Sequence, residues 1–255
     1  MIRILLSGCC GTMGRVIAGC AAEQPEFEIA AGIDVRKDET LPFPVYANPE
    51  NIPSQASDVL IDFSHPSLLD SLLDFGLREK MPLVLCTTGY NKQQVEAIRQ
   101  ASGQIPVFFS GNMSLGINLL IDLSKRAAKI LGNDFDIEII EKHHNKKIDA
   151  PSGTALMIAD GISAAVDKNM EYVYDRHSRR KARDKSEIGI HSIRGGTIVG
   201  EHEVIFAGPQ ETITIHHSAQ SKEIFAMGAL HAAAFLTNKV SGLYSMSDLL
   251  NEGGT

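Results

Sequence analysis

Short apolar runs alternate with stretches of helical spacing along the first part of the chain. Residues 2–6 ("IRILL") form a β-rich run that stops at Gly8, and "GRVIAGCAAEQ" (14–24) then has helical spacing and ends at Pro25. "FEIAAGID" (27–34) and "DVLIDFS" (58–64) read as further strands. "PSLLDSLLDFGLREK" (66–80) reads as a helix with Pro at its start, where the missing N–H leaves nothing unsatisfied. "PLVLCTTG" (82–89) predicts a strand, "NKQQVEAIRQAS" (91–102) a helix and "QIPVFFSG" (104–111) another strand. Strands and helices in this alternation predict βαβ units, hence a parallel sheet with helices on both faces.

The pattern changes after about residue 112. A long helix fits 115–131, followed by the strand "DIEIIEKHH" (136–144), a charged turn and a helix over roughly 154–166. Three strand-like runs then crowd together at 188–193, 197–207 and 211–219, before helical "EIFAMGALHAAAFLTNKV" (223–240) and a short tail. Strands clustered without intervening helices predict a second α+β domain with a mixed sheet. The expected division is 1–113 and 114–224, with the closing segment 225–255 returning to the first domain.

Charge narrows the range of partners. Lys plus Arg number 24 and Asp plus Glu 31, a formal net charge of −7, so a nucleic acid is not expected as a partner. The one basic run, "RHSRRKARDK" (176–185), reads as a solvated loop. The four cysteines (Cys9, Cys10, Cys20, Cys86) form no C-x-x-C pair, which suits a reducing compartment better than a disulfide framework or zinc site. "MIRILLSG" lacks the layout of a signal peptide, and no stretch reaches the roughly 18 apolar residues of a membrane span. A cytoplasmic protein with no membrane partner is expected.

Two stretches carry chemistry. "GCCGTMG" (8–14) lies between the first strand and first helix, where bare backbone amides and a helix N-terminus can receive a pyrophosphate. Its spacing is G-x-x-G-x-x-G, with Cys10 in the usual second glycine position; a tight turn without a ligand is the competing reading. Asp34 ends the second strand, placed to accept from an adenosine ribose, and the strand ends "CTTG" (86–89) and "SGNM" (110–113) would line the same crevice. The second stretch is "EKHHNKKIDAPSGTA" (141–155). Adjacent histidines on a strand diverge, and no third His or Cys stands at ligand spacing, so no metal is expected. "PSGT" opens a helix whose amides and dipole favour an anion, beside His and Lys donors suited to proton transfer. Together these suit a small, doubly anionic substrate.

These stretches, with "GNMSLGIN" and "GEHEVIFAG", resemble the dihydrodipicolinate reductase family (4-hydroxy-tetrahydrodipicolinate reductase) from residue 2 to about 250. The resemblance implies an N-terminal Rossmann-type domain, a C-terminal substrate and tetramerisation domain, and a cytoplasmic homotetramer. It implies reduction of the dehydrated form of 4-hydroxy-tetrahydrodipicolinate, a small dicarboxylate, by NADH or NADPH in diaminopimelate and lysine biosynthesis. By position, His143 is similar to the catalytic histidine and Lys147 to the proton donor; His144, Gly153 and Thr154 match positions that hold the substrate carboxylates. Gly8, Cys9, Cys10, Gly11, Thr12, Met13, Asp34, Cys86, Thr87, Thr88, Ser110, Gly111, Asn112 and Met113 match the cofactor contacts. Cys10, Val35 and Met113 depart from common family residues. With Asp34 favouring NADH, and Arg36 and Lys37 within reach of a 2′-phosphate, both cofactors are expected to work, NADH at least as well as NADPH. Two rivals remain: a nucleotide-sensing binding module with no need of a proton donor, and a dehydrogenase of another small dicarboxylic acid.

Overall fold

The computed structural model describes residues 1–36, 38–166 and 169–252, and the chain divides into two compact units. Met1–Leu115 together with the stretch from Lys222 onward forms the first, and Gly116–Ser221 the second.

In the first unit the strands are β1 (Ile2–Ser7), β2 (Phe27–Ile33), β3 (Val45–Tyr46), β4 (Val59–Asp62), β5 (Leu83–Leu85) and β6 (Pro106–Phe109). Its helices so far are α1 (Thr12–Ala22), α2 (Leu69–Glu79) and α3 (Lys92–Ser102). The sheet is wholly parallel; β3, β2, β1, β4, β5 and β6 lie side by side, and a late strand, Gly242–Tyr244, extends it beyond β6. Period-two alternation explains why helices cover both faces. Ile4, Leu6, Val59, Ile61, Val84 and Phe108 point to one side, against Ile17 of α1 and the alanine-rich helix Glu223–Leu236. Leu5, Leu60, Leu83, Leu85 and Val107 point to the other, against Leu72 and Leu73 of α2 and Ile98 of α3. Each fully buried aliphatic side chain contributes about 1.5–3 kcal/mol relative to exposure. This sandwich therefore holds the C-terminal strand ends, where the candidate cofactor residues lie, at fixed positions.

The second unit contains α4 (Leu115–Leu131, of which Leu115 belongs to the first unit), β7 (Asp136–His143), α5 (Gly153–Ala165), β8 (Glu171–Val173), β9 (Glu187–Arg194), β10 (Gly200–Ala207) and β11 (Thr212–Ala219). The late helix of the first unit is α6 (Glu223–Leu236), followed by β12 (Gly242–Tyr244) and α7 (Met246–Glu252). The second sheet runs β11-β10-β7-β9-β8; β10 is antiparallel to both neighbours, and β7, β9 and β8 are mutually parallel. It is a mixed sheet, as its clustered strands predict. Ile137, Ile139, Ile188, Ile190, Val204 and Phe206 face Leu120 of α4 and Ile158, Ala159 and Ile162 of α5.

The basic run is an exposed loop, as expected, and several of its side chains are tethered by ion pairs. Arg176 pairs with Glu138 (2.6 Å) and Glu187 (2.8 Å), Arg183 with Glu138 (2.9 Å) and Asp136 (3.0 Å), and Arg179 with Glu171 (2.8 Å). Acidic residues on β7, β8 and β9 fasten these arginines to the sheet, while Arg180, Lys181 and Lys185 stay exposed.

Candidate functional site

In the first unit, the turn after β1 is wound around its own amides. The Gly8 and Cys9 N–H groups donate to the Ile33 carbonyl, and the Gly11 N–H to the Gly8 carbonyl. Cys10 N–H donates to Asp34 Oδ2 (3.0 Å). Gly8 sits at φ +80°, and a Cβ there would lie 2.5 Å from the Phe63 carbonyl oxygen, so only glycine permits this approach of β1 to β4. The amides left for a ligand are those of the first turn of α1, at Thr12 and Met13. No side chain caps that helix at Gly11, and no acid stands in its first turn. An uncapped helix start of this kind accommodates an anion.

A cavity of about 390 Å³ opens beside it, lined by Gly8, Gly11, Asp34, Arg36, Ser64 and His65 among others. Asp34 is 8% exposed, and its Oδ1 accepts from Arg36 N–H (3.0 Å). One lone pair on each carboxylate oxygen is thus used by the loop and one remains for a hydroxyl donor. The Arg36 guanidinium stands 3.5 Å from Asp34 Oδ1 and is largely exposed; Lys37 lies outside the described residues. The residues present fit a dinucleotide: free first-turn amides for a pyrophosphate, and an anchored acid at the end of β2 for a ribose.

The cysteine side chains are buried. Cys9 and Cys10 are buried in the α1 side of the core, their sulfurs 3.9 Å apart, and burial pushes the Cys9 thiol up to about 12. Among the described residues, Cys9, Cys10 and Asp34 are the one trio of potential metal ligands close together, within 4.8 Å. With Asp34 engaged by loop amides and the thiols kept protonated among apolar neighbours, the trio is poorly suited to a cation.

The other candidate cofactor residues lie at the ends of β5 and β6. Thr87 spends its hydroxyl on Asp62 Oδ2 (2.7 Å) while accepting from Ser64 N–H (3.0 Å), and Tyr90 O–H reaches the same carboxylate oxygen (3.2 Å). Thr87 and buried Cys86 therefore brace the strand ends, and Thr88 is exposed. Ser110 donates to the Asn112 carbonyl (2.8 Å) and Ser114 N–H donates to Asn112 Oδ1 (2.9 Å), folding Ser110–Met113 into a braced turn with Gly111 at its exposed tip.

In the second unit, strand periodicity does the sorting. Ile137, Ile139 and Glu141 of β7 face the helices, so His143 continues on that face and Lys142 turns away to Glu201 (2.8 Å). Strand β7 ends at His143, and His144 falls in the following turn. Register brings His202 of β10 opposite Glu141 and Arg194 of β9 opposite His143. Glu141 is fully buried and accepts from His143 Nδ1 (2.6 Å), from both terminal nitrogens of Arg194 (2.8 and 2.7 Å) and from Ser152 N–H (3.1 Å). Burial alone would raise the Glu141 carboxyl, but hydrogen bonds from Arg194, Ser192 and His143 overcome it and hold it at about 2. Burial lowers His143, with Glu141 opposing.

Ser152 caps α5, its Oγ accepting from Ala155 N–H (3.2 Å) and lying 3.1 Å from His202 Nε2. Gly153 is exposed at the first position of the helix and Thr154 is half-buried beside it. Lys147 curls back, its N–H donating to the His144 carbonyl (3.1 Å) and its ammonium to Asp149 (2.8 Å). His202 stacks edge-on to His143 at 5.3 Å and is pushed down to about 3 by burial. His143, His144, Lys147, Gly153 and Thr154 all lie on the segment from the end of β7 to the start of α5, whose two ends are tied by Ser152 N–H donating to Glu141. The structure adds Glu141, Ser152, Arg194 and His202, to which sequence reasoning assigned no role. Glu141 was legible as the third inward position of β7; Arg194 and His202 carry no local signal.

Family models for the two parts of dihydrodipicolinate reductase match this chain, the N-terminus over residues 2–113 and the C-terminus over 116–250. The chain belongs to the dihydrodipicolinate reductase family. It is 53% identical over 253 residues to the 4-hydroxy-tetrahydrodipicolinate reductase of Caldanaerobacter subterraneus subsp. tengcongensis, covering 99% of this chain and 100% of that one. The Clostridium tetani protein of the same name is also 53% identical, over 98% of each chain. A dipicolinate-bound dihydrodipicolinate reductase from Paenisporosarcina sp. TG-14 shares the fold, with a TM-score of 0.81 and 24% identity over 96% of this chain and 97% of that one. Among the described residues of this family member, no helix is long and apolar enough to cross a membrane.

Proposed function

We propose that the chain reduces the dehydrated form of 4-hydroxy-tetrahydrodipicolinate to tetrahydrodipicolinate, with NADH or NADPH as the reductant. The observation that carries this reading is the meeting of His143 and the start of α5 at one buried carboxylate, Glu141, with the Lys147 charge acting on His143. When bound, the nicotinamide supplies hydride. The first-turn amides of α1 hold the pyrophosphate, and Asp34 accepts from the adenosine ribose.

On the substrate side, the ring's two carboxylates are met by His144 and by Gly153 and Thr154 at the start of α5, where the helix dipole favours negative charge. Lys147 gives the proton that completes reduction; an ammonium has three N–H donors, and Asp149 engages one of them. His143 orients the ring and polarises it. Holding both reactants in place converts a two-body encounter into a unimolecular step, the source of much of the acceleration. Assembly as a homotetramer belongs to the same proposal: the face of the second sheet turned from α4 and α5 carries Ile140, Ile193 and Ile205, the second of them 46% exposed. A sensing module would have no use for a proton donor beside an anion pocket. Titration with a pyridine dicarboxylate tests the placement of the carboxylates. Binding competitive with substrate is expected, and an enzyme indifferent to it would contradict the reading.

A further inference from the structure

We propose that Glu141, clamped by Arg194, is the positioning residue that fixes the ring orientation and tautomer of His143 and joins it to the start of α5. The inference rests on the reading that His143 faces the substrate. Glu141 is fully buried, and every hydrogen bond it makes here is one it accepts. Oε2 takes His143 Nδ1 at 2.6 Å and one Arg194 nitrogen at 2.8 Å; Oε1 takes the other Arg194 nitrogen at 2.7 Å and Ser152 N–H at 3.1 Å. An ionised carboxylate has no proton to give, so Nδ1 must carry the hydrogen of that bond. The neutral ring is then bare at Nε2, and any second proton enters at Nε2 alone.

The ring's place is also made by what is missing from β10. A Cβ on Gly200 would stand 3.1 Å from His143 Nε2, tighter than ordinary side-chain packing, so a larger residue would press the ring by a few tenths of an ångström. Besides Glu141, the ring faces Lys147, Arg194 and neutral His202. Arg194 is itself anchored by donation to the Asp149 carbonyl at 2.7 Å. The clamp therefore joins β7, β9, the turn bearing Lys147 and the first residue before α5. One carboxylate sets the distance between the histidine and the helix start that are proposed to handle substrate.

A merely structural ion pair can be separated from this role. Replacing a buried pair by apolar residues of similar size is often neutral for stability, whereas removing one partner is not. The double variant Glu141→Leu/Arg194→Met is therefore compared with wild type by nitrogen NMR of labelled histidines, His143→Gln identifying the resonances of residue 143. Wild-type His143 is expected as the Nδ1–H tautomer when neutral. The folded double variant should bind NADH normally, lose that tautomer and turn over about 10²-fold more slowly. An Nε2–H tautomer in the wild type, or a folded double variant with unchanged turnover, would overturn the inference. If the double variant does not fold, the wild-type spectrum decides alone. Normal turnover by His143→Gln would instead defeat the functional reading and leave the tautomer assignment standing.

Discussion

Replacing Lys147 by alanine separates chemistry from architecture. Its ammonium contacts Asp149, and that carboxylate is 60% exposed, so the pair contributes only about 0–1 kcal/mol to folding. At this chain length, a loss of 1 kcal/mol shifts Tm by about 2–4 °C. Loss of a proton donor in the transition state should slow turnover by about 10²–10⁴-fold, equivalent to roughly 2.7–5.5 kcal/mol in the barrier. The kinetic effect thus exceeds anything the lost ion pair can do to the fold. Steady-state kinetics with NADH at saturating substrate give kcat, fluorescence titration gives cofactor affinity, and a melt gives Tm. The expected pattern is a fall in kcat of at least 10²-fold, NADH affinity unchanged and Tm within a few degrees; His143→Gln should behave similarly. A Lys147→Ala enzyme with kcat within a few-fold of wild type would refute the assignment of the proton donor.

Three further expectations follow from the geometry. Thr154→Val keeps the shape at the start of α5 but removes a donor, so substrate should bind about 10–100-fold more weakly, the equivalent of about 1.5–3 kcal/mol for one hydrogen bond to a charged group; an unchanged KM and unchanged inhibition by a pyridine dicarboxylate would argue against it. Asp34→Ala should move the NADPH/NADH ratio of kcat/KM toward NADPH and also lower stability, because Cys10 N–H loses its acceptor. Arg36→Ala should move the ratio toward NADH, and wild type using NADPH many-fold better while indifferent to Arg36→Ala would contradict this. His202 is buried neutral, pushed down to about 3, so below its unfolded value of about 6.5 the unfolded chain binds the extra proton and stability falls as pH drops. Denaturant melts at pH 7 and pH 5 should show wild type losing about 2 kcal/mol more than His202→Gln; equal losses would show that His202 is not the linked group.

The parallel sheet was legible because its inner strands are continuous apolar runs buried on both faces, set between helices with clear punctuation. Four pieces were not. β3, β8 and β12 are two or three residues long and lie at sheet edges, too short for any period to register, and α7 sits in what reads as a tail. The candidate site was legible where chemistry is local: the glycine turn, Asp34, and the run from His143 to Thr154. What sequence distance concealed was pairing. Arg194 meets Glu141 across 53 positions through strand register, and Arg183 meets Asp136 across 47 from the loop before β9. A glycine-rich spacing also does not say which amides are already taken; Cys10 N–H belongs to Asp34, and the Thr87 hydroxyl to Asp62.

The most direct measurement is NADH consumption by the purified chain, followed by absorbance, with freshly generated 4-hydroxy-tetrahydrodipicolinate set against common keto acids and other aspartate-derived acids. Rapid oxidation of NADH with the cyclic dicarboxylate, inhibition by a pyridine dicarboxylate, and no turnover of the other acids is the result predicted. Turnover of one of those acids with the cyclic dicarboxylate inert, or cofactor binding without any turnover, would contradict the account.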